Sequence, residues 1–177
     1  MPRTARFVPP DSVVHVVNRG VEKRRLFDRP RDYDEFLGFV DRAHTRTPVR
    51  LLAYVLMPNH WHLVLWPVTC AELSLFLHNL TTSHAARFRH RSATTGFGHV
   101  YQGRYRSSII DGDVRYVRTL RYVEANPLVA DLVLRAEDWP WSSLTERLGS
   151  ISRIVDGPVP LPSLEDWTAL VNAQRPG

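Results

Sequence analysis

The chain has 177 residues, 44% hydrophobic and 23% charged, which suits one domain with an ordinary core and excludes wholesale disorder. A formal charge of +5 and a pI near 9.9 favour a polyanionic partner, nucleic acid first, although a basic protein with no such partner has the same composition. Cys70 is the only cysteine, which excludes an intrachain disulfide and fits a cytoplasmic location; no apolar run approaches a membrane span, and MPRTARFVPPDS lacks a signal peptide's apolar core.

Met1 to Asp11 reads as a basic, proline-rich lead-in. Ser12 to Asn18 is valine-rich and reads as a first strand, broken at Arg19-Gly20 and followed by a charged loop, Val21 to Asp28. Asp28 and Pro30 signal a helix start. Tyr33, Phe36, Leu37, Val40 and Ala43 then recur at three and four, the spacing of a buried helical stripe that Pro48 ends.

Val49 to Met57 and His60 to Trp66 form two further strands joined tightly at Pro58-Asn59. Thr69 to Glu72 has capping-box spacing, and Leu73, Phe76, Leu77, Leu80 and His84 continue a second helix to about Arg91. Ala93 to Gly98 is a loop, and Arg104 to Ile110 a fourth strand. Asp111 or Asp113 can cap a third helix through Glu124, ended by Asn126-Pro127. A short helical segment and Trp139-Pro140-Trp141-Ser142-Ser143 follow, and the proline-rich stretch from Gly149 reads as a tail packed on the surface.

The order β-α-β-β-α-β predicts an α+β fold with a ferredoxin-like core, an antiparallel sheet whose first and third strands are central, and an added C-terminal helix. We take residues 1–148 as one domain, with its core at about 12–143, and 149–177 as the tail.

His60 and His62 lie one residue apart on the third strand. Successive strand side chains alternate faces, so the two imidazoles share a side, rooted about 7 Å apart, and can converge on one ion. Two histidines leave an ion short of partners. On the third helix Val114, Tyr116, Val117, Leu120 and Val123 fall on one broad side, and Arg115, Arg118, Thr119, Tyr122 and Asn126 on the other. Tyr122 and Asn126, four apart, are neighbours there. A tyrosine flanked by arginines fits a phosphate-facing nucleophile, although by pattern alone a solvated surface residue is the commoner case.

The strings YVLMPNHWHLVLWP, YQGRYRSSIIDGD and RYVEANPLVADLV, with Trp-Pro-Trp-Ser-Ser after them, resemble the HUH single-tyrosine transposases. The resemblance is nearest to the REP-associated tyrosine branch, bacterial relatives of insertion-sequence transposases. It runs from about Ser12 to Ser143, and its motifs are specific as an ordered set.

The resemblance implies that His60 and His62 bind a divalent metal with Asn126, where the insertion-sequence relatives usually have glutamine. It implies that Tyr122, on the added helix, is the catalytic nucleophile. The expected reaction is metal-dependent cleavage of single-stranded DNA beside a hairpin, giving a 5′-phosphotyrosine link and a free 3′-hydroxyl, reversible for strand transfer. A phenol, with a pKa of about 10, is a poor nucleophile without such help. The metal is Mg²⁺ or Mn²⁺, and imidazole ligands suit manganese better.

DNA contacts are expected from Arg19, Arg24, Arg25, Arg104, Arg106, Arg115 and Arg118. Lys23 is the only lysine, and arginine's planar fork suits phosphate. His15, on the first strand beside the third, can approach the metal site, but a core histidine is the reading we take. A monomer or weak homodimer, with the tyrosine in cis, fits the short link from Ile110 to Tyr122. The alternatives are a catalytically silent DNA- or RNA-hairpin-binding regulator of the same fold and a hydrolase using water activated at His60 and His62.

Overall fold

The computed structural model describes residues 8–91, 98–149 and 154–174. Residues 1–7 of the expected lead-in and 93–97 of the expected loop lie outside them. Four strands, β1 (Val13–Arg19), β2 (Arg50–Met57), β3 (His60–Trp66) and β4 (Arg106–Ile110), form one antiparallel sheet in the order β2-β3-β1-β4. The helices are α1 (Pro30–Arg46), α2 (Cys70–Arg91), α3 (Asp113–Val129), α4 (Ser143–Leu148) and α5 (Leu164–Asn172). The order through β4 is the ferredoxin-like βαββαβ, with β1 and β3 central as expected.

Helices cover both faces of the sheet. Val14, Val16, Trp61, Leu63 and Leu65 point to one side, where Tyr33, Phe36 and Val40 of α1 and Leu73, Phe76, Leu77 and Leu80 of α2 close the larger core. Ala53, Val55, Met57 and Val64 point to the other, under Leu120, Val123 and Ala125 of α3, Leu144 of α4, and Trp167 and Val171 of α5. This explains why β2 reads as a continuous apolar run: a strand covered on both faces has no polar alternation. Its outer edge is shielded too. Leu56 N–H donates to the Trp141 carbonyl at 3.0 Å, Ser142 bridges Val55, and Trp139 Nε1 donates to the Leu56 carbonyl.

Local signals set the helix starts. Pro30 opens α1, and the Asp32 carboxylate accepts the Asp28 and Arg29 N–H groups. Thr69 and Glu72 form the expected capping box of α2. For α3 two expectations need correction. Neither Asp111 nor Asp113 caps it: the N-cap is Gly112, at φ 78, with no side-chain bond. Nor does it end at Asn126-Pro127, since it continues to Val129 with Pro127 inside. A proline in the last turn forfeits a single backbone bond, a small loss for a residue that is itself buried. Val114, expected on the core side, is exposed, as are Asp113 and Arg115 beside it, and the buried residues of α3 begin at Leu120.

The segment after Gly149 also holds more than a surface tail. Ser163 caps α5 by accepting the Asp166 N–H at 3.0 Å, and α5 inserts Trp167 fully into the second core. No helix among the described residues is long and apolar enough to cross a membrane.

Behind β3, Trp61 Nε1 donates to the Tyr101 hydroxyl at 3.2 Å, which is hydrogen-bonded in turn to His84 Nδ1 at 2.6 Å. Burial among Phe27, Phe36 and Phe88 pushes the His84 pKa down to about 3, with Arg91 acting in the same direction. The unfolded chain, titrating near 6.5, therefore binds more protons between those values, and stability falls as pH drops through that window. At pH 5 the cost is about 2 kcal/mol for this one group. Urea unfolding in chelator should show a lower midpoint at pH 5 than at pH 7, with a shallower dependence in His84→Gln.

Candidate active site

The antiparallel register of β1 on β3 pairs Val17 with His62 and Arg19 with His60. On the face away from the larger core this aligns His15, Val17 and Arg19 beside His60 and His62. Together with Tyr122 from α3 and Gln102, Gly103, Arg104 and Arg106 from the approach to β4, they line a cleft of about 570 Å³. The ring centroids of His60 and His62 are 5.0 Å apart, those of His15 and His62 5.1 Å, and Tyr122 stands edge-on to His62 at 5.6 Å. Tyr122 is 44% exposed, so its ring rests against the histidines while the side chain remains open to an incoming molecule.

Asn126 sits one helical turn beyond Tyr122, and its side chain hydrogen-bonds His60. The sequence-predicted residues His60, His62, Tyr122 and Asn126 therefore meet in one place. Burial lowers the pKa of His60 to about 4, with the Arg19 charge acting in the same direction and the Asn126 bond opposing it. Burial also lowers His15 to about 4 and holds His62 well below the ordinary imidazole range, reinforced by His60, His15 and Arg19. All three rings are neutral at physiological pH, the form that ligates metals.

His62 Nε2 is buried with no hydrogen-bond partner, while its Nδ1 lies 2.9 Å from His15 Nε2. An orphaned imidazole nitrogen on a ring packed 5.0 Å from a second histidine fits a divalent ion. Among the described residues no group of three His, Cys, Asp or Glu side chains could hold an ion by itself. An ion at His60 and His62 would therefore need Asn126 or substrate oxygens to complete its coordination.

Of the arginines expected at DNA, Arg19, Arg104 and Arg106 line the cleft. Arg24, Arg25, Arg115 and Arg118 are exposed outside it, and Arg25 pairs with Asp28 at 3.2 Å. His15 stands inside the site rather than in a core. Strand alternation together with the predicted β1–β3 adjacency is the sequence signal that points to it. Gln102 and Gly103, also at the cleft, give no such signal.

The turn before His60 is held from outside. Leu26 N–H donates to the Pro58 carbonyl at 2.7 Å, and Gly20 N–H to the Asn59 carbonyl at 2.9 Å. A Cβ at Gly20 would overlap the Arg24 carbonyl oxygen, so only glycine lets this loop close beneath the turn.

The tyrosine helix is fixed from its other side by Glu124, which sequence periodicity did not single out. Its carboxylate is fully buried and accepts from Ser143 Oγ of α4, Arg147 Nε of α4 at 3.3 Å and Trp167 Nε1 of α5. Arg147 also donates to the Gly157 and Leu52 carbonyls. One buried ion pair thus ties α3, α4, α5 and β2 together, two residues from Tyr122.

The fold is of the α+β class, and the chain belongs to the IS200-like transposases: the family described as "Transposase IS200 like" matches residues 10–126. Among solved structures, the REP-associated tyrosine transposase bound to a REP hairpin superposes with a TM-score of 0.64, covering 90% of this chain and 96% of that one at 15% identity. A candidate transposase from Deinococcus radiodurans R1 gives a TM-score of 0.48, covering 70% and 96% at 16% identity. No curated protein matches the chain.

Removing one partner of a buried ion pair strands the other charge. Arg147→Met should therefore lower unfolding stability by about 3–5 kcal/mol in urea titrations, and pairing it with Glu124→Gln should restore part of the loss.

Proposed function

We propose that this chain is a metal-dependent single-stranded DNA endonuclease and strand transferase that acts at hairpin repeats through a 5′-phosphotyrosine link. The observation that carries the proposal is the meeting, within one chain, of an accessible Tyr122 with His62, whose buried Nε2 lacks a partner, and with a His60 bonded to Asn126. Membership of the IS200-like transposases supports the reaction class. The solved relative of like fold is bound to a REP hairpin, which supports hairpin DNA as the partner.

His60, His62 and Asn126 would hold the metal, Mn²⁺ or Mg²⁺. Bound there, a divalent ion polarises the scissile phosphate and stabilises charge on the departing oxygen. Arg19, Arg104 and Arg106 bind flanking phosphates inside the cleft, and Arg24, Arg25, Arg115 and Arg118 extend the contact along the strand. Tyr122 Oη attacks phosphorus and gives up its proton, an O–P bond forms, and the P–O3′ bond breaks. The released 3′-oxygen takes up a proton. Bond count and phosphodiester energy are conserved, so attack by a 3′-hydroxyl on the phosphotyrosine reverses the step without a nucleotide cofactor.

The tyrosine acts in cis, in a cytoplasmic monomer. Its own chain's histidines lie 5.6 and 6.1 Å from its ring, and the Glu124 network holds its helix against its own C-terminal elements.

Labelled single-stranded hairpins from repeats flanking the gene test the proposal, with the wild type and Tyr122→Phe compared in Mn²⁺, Mg²⁺ and chelator. The wild type should form a DNA-linked protein band, more strongly in Mn²⁺, and Tyr122→Phe none at all. Tight hairpin binding without that band would instead identify a silent regulator of the same fold. Cleavage surviving in Tyr122→Phe would identify a hydrolase using activated water.

A further inference from the structure

We propose that His15 and Asn59 are positioning residues that fix the ring tautomers of His62 and His60, so that both histidines present a bare Nε2 to the metal. The inference rests on the metal site proposed above and adds two residues to it. Neither need touch the ion or the DNA.

For His60 the tautomer follows from the donor and acceptor inventory. Its Nδ1 lies 2.6 Å from Asn59 Oδ1. A carboxamide oxygen only accepts, so Nδ1 donates in this short bond; a neutral ring has one N–H, and with it committed to Asn59 rather than to Asn126, Nε2 is bare. Asn59 is itself immobilised, because its carbonyl accepts the Gly20 N–H at 2.9 Å and the adjoining Pro58 carbonyl accepts Leu26 and Phe27. The turn that joins β2 to β3 therefore also orients the ring that follows it.

For His62 the partner is another imidazole. His15 Nε2 and His62 Nδ1 lie 2.9 Å apart, with the rings stacked 11° from parallel, and one nitrogen must donate. If His15 donated, His62 would carry its own proton on Nε2, leaving a buried N–H with no acceptor. If His62 donates, Nε2 is a buried lone pair, the form a metal satisfies. His15 then accepts through Nε2 and keeps its proton on Nδ1.

The register explains why His15 can do this. His15 pairs with Val64 and Val17 with His62, which makes His15 the diagonal same-face neighbour of His62 across the β1–β3 ladder. Partners of this kind set tautomer and ring orientation and raise ligand basicity, and their loss typically costs about 10–100-fold in metal affinity.

The test uses the full chain without DNA. Two-bond ¹H–¹⁵N NMR of the metal-free protein reads the tautomers, and Mn²⁺ titration by calorimetry reads affinity. Both His60 and His62 should show protonated Nδ1 in the wild type. His15→Leu should weaken Mn²⁺ binding about 10–100-fold and release the His62 tautomer, whereas His15→Gln, which keeps an acceptor, should restore most of the affinity. Asn59→Ala should do to His60 what His15→Leu does to His62.

An Nε2–H signal from His62 in the wild type overturns the proposal, and so does Mn²⁺ binding by folded His15→Leu equal to wild type. If His15→Leu does not fold, the wild-type tautomers and His15→Gln still decide. The control is His62→Ala: if it binds Mn²⁺ as the wild type does, the metal site itself fails. If only His62→Ala loses binding, the metal site stands and the positioning role fails.

Discussion

The pairing of β1 with β3 is the constraint on which the site depends. A two-residue alternation places every second side chain of each strand on one face, and the register decides which residues become neighbours across the ladder. With His62 opposite Val17 and His60 opposite Arg19, three imidazoles and a guanidinium share a single patch of sheet. A slip of one residue would turn the histidines of β3 into the larger core and bring Trp61 into the cleft. The buried bonds from Trp61 to Tyr101 and on to His84 penalise that slip from the opposite face.

The sheet carries only part of the site. Tyr122 and Asn126 come from α3, which reaches the sheet through Leu120 and Val123 and is oriented by Glu124. Apolar contacts hold a helix against a surface without strongly fixing its rotation. A buried carboxylate that needs Ser143, Arg147 and Trp167 together permits little rotation. The electrostatic cost of burying Glu124 and Arg147 is compatible with a role in specifying orientation rather than in raising stability.

Much of this was legible in the sequence, for physical reasons that differ by element. The bounds of β3 could be read because His60 to Trp66 is flanked by a Pro-Asn turn and a proline, and the sheet order followed from the alternation of strands and helices. The meeting of Tyr122 and Asn126 followed from helical spacing, a local property. What remained hidden depends on tertiary context. The end of α3 was misjudged because a proline is tolerated where only one bond is lost and its ring is buried. Glu124 looked like any helix-surface acid, since only Arg147, Ser143 and Trp167, far along the chain, make its burial possible. His15 remained ambiguous because its place depends on the register between strands 40 residues and more apart in sequence. A helix as short as α5 between prolines gives little periodicity to read.

The position of α5 in the chain has a further consequence for the order in which the protein matures. It follows every other described element, yet Trp167 completes the bond set of the carboxylate that orients the tyrosine helix. During synthesis the strands, and with them all three clustered histidines, emerge well before that tryptophan. A nascent chain thus holds the histidine face before the bonds that fix Tyr122 opposite it are complete. The bond set that sets the rotation of α3 is therefore complete only once α5 docks, so the last helix to emerge is the one that locks the cleft's helical wall.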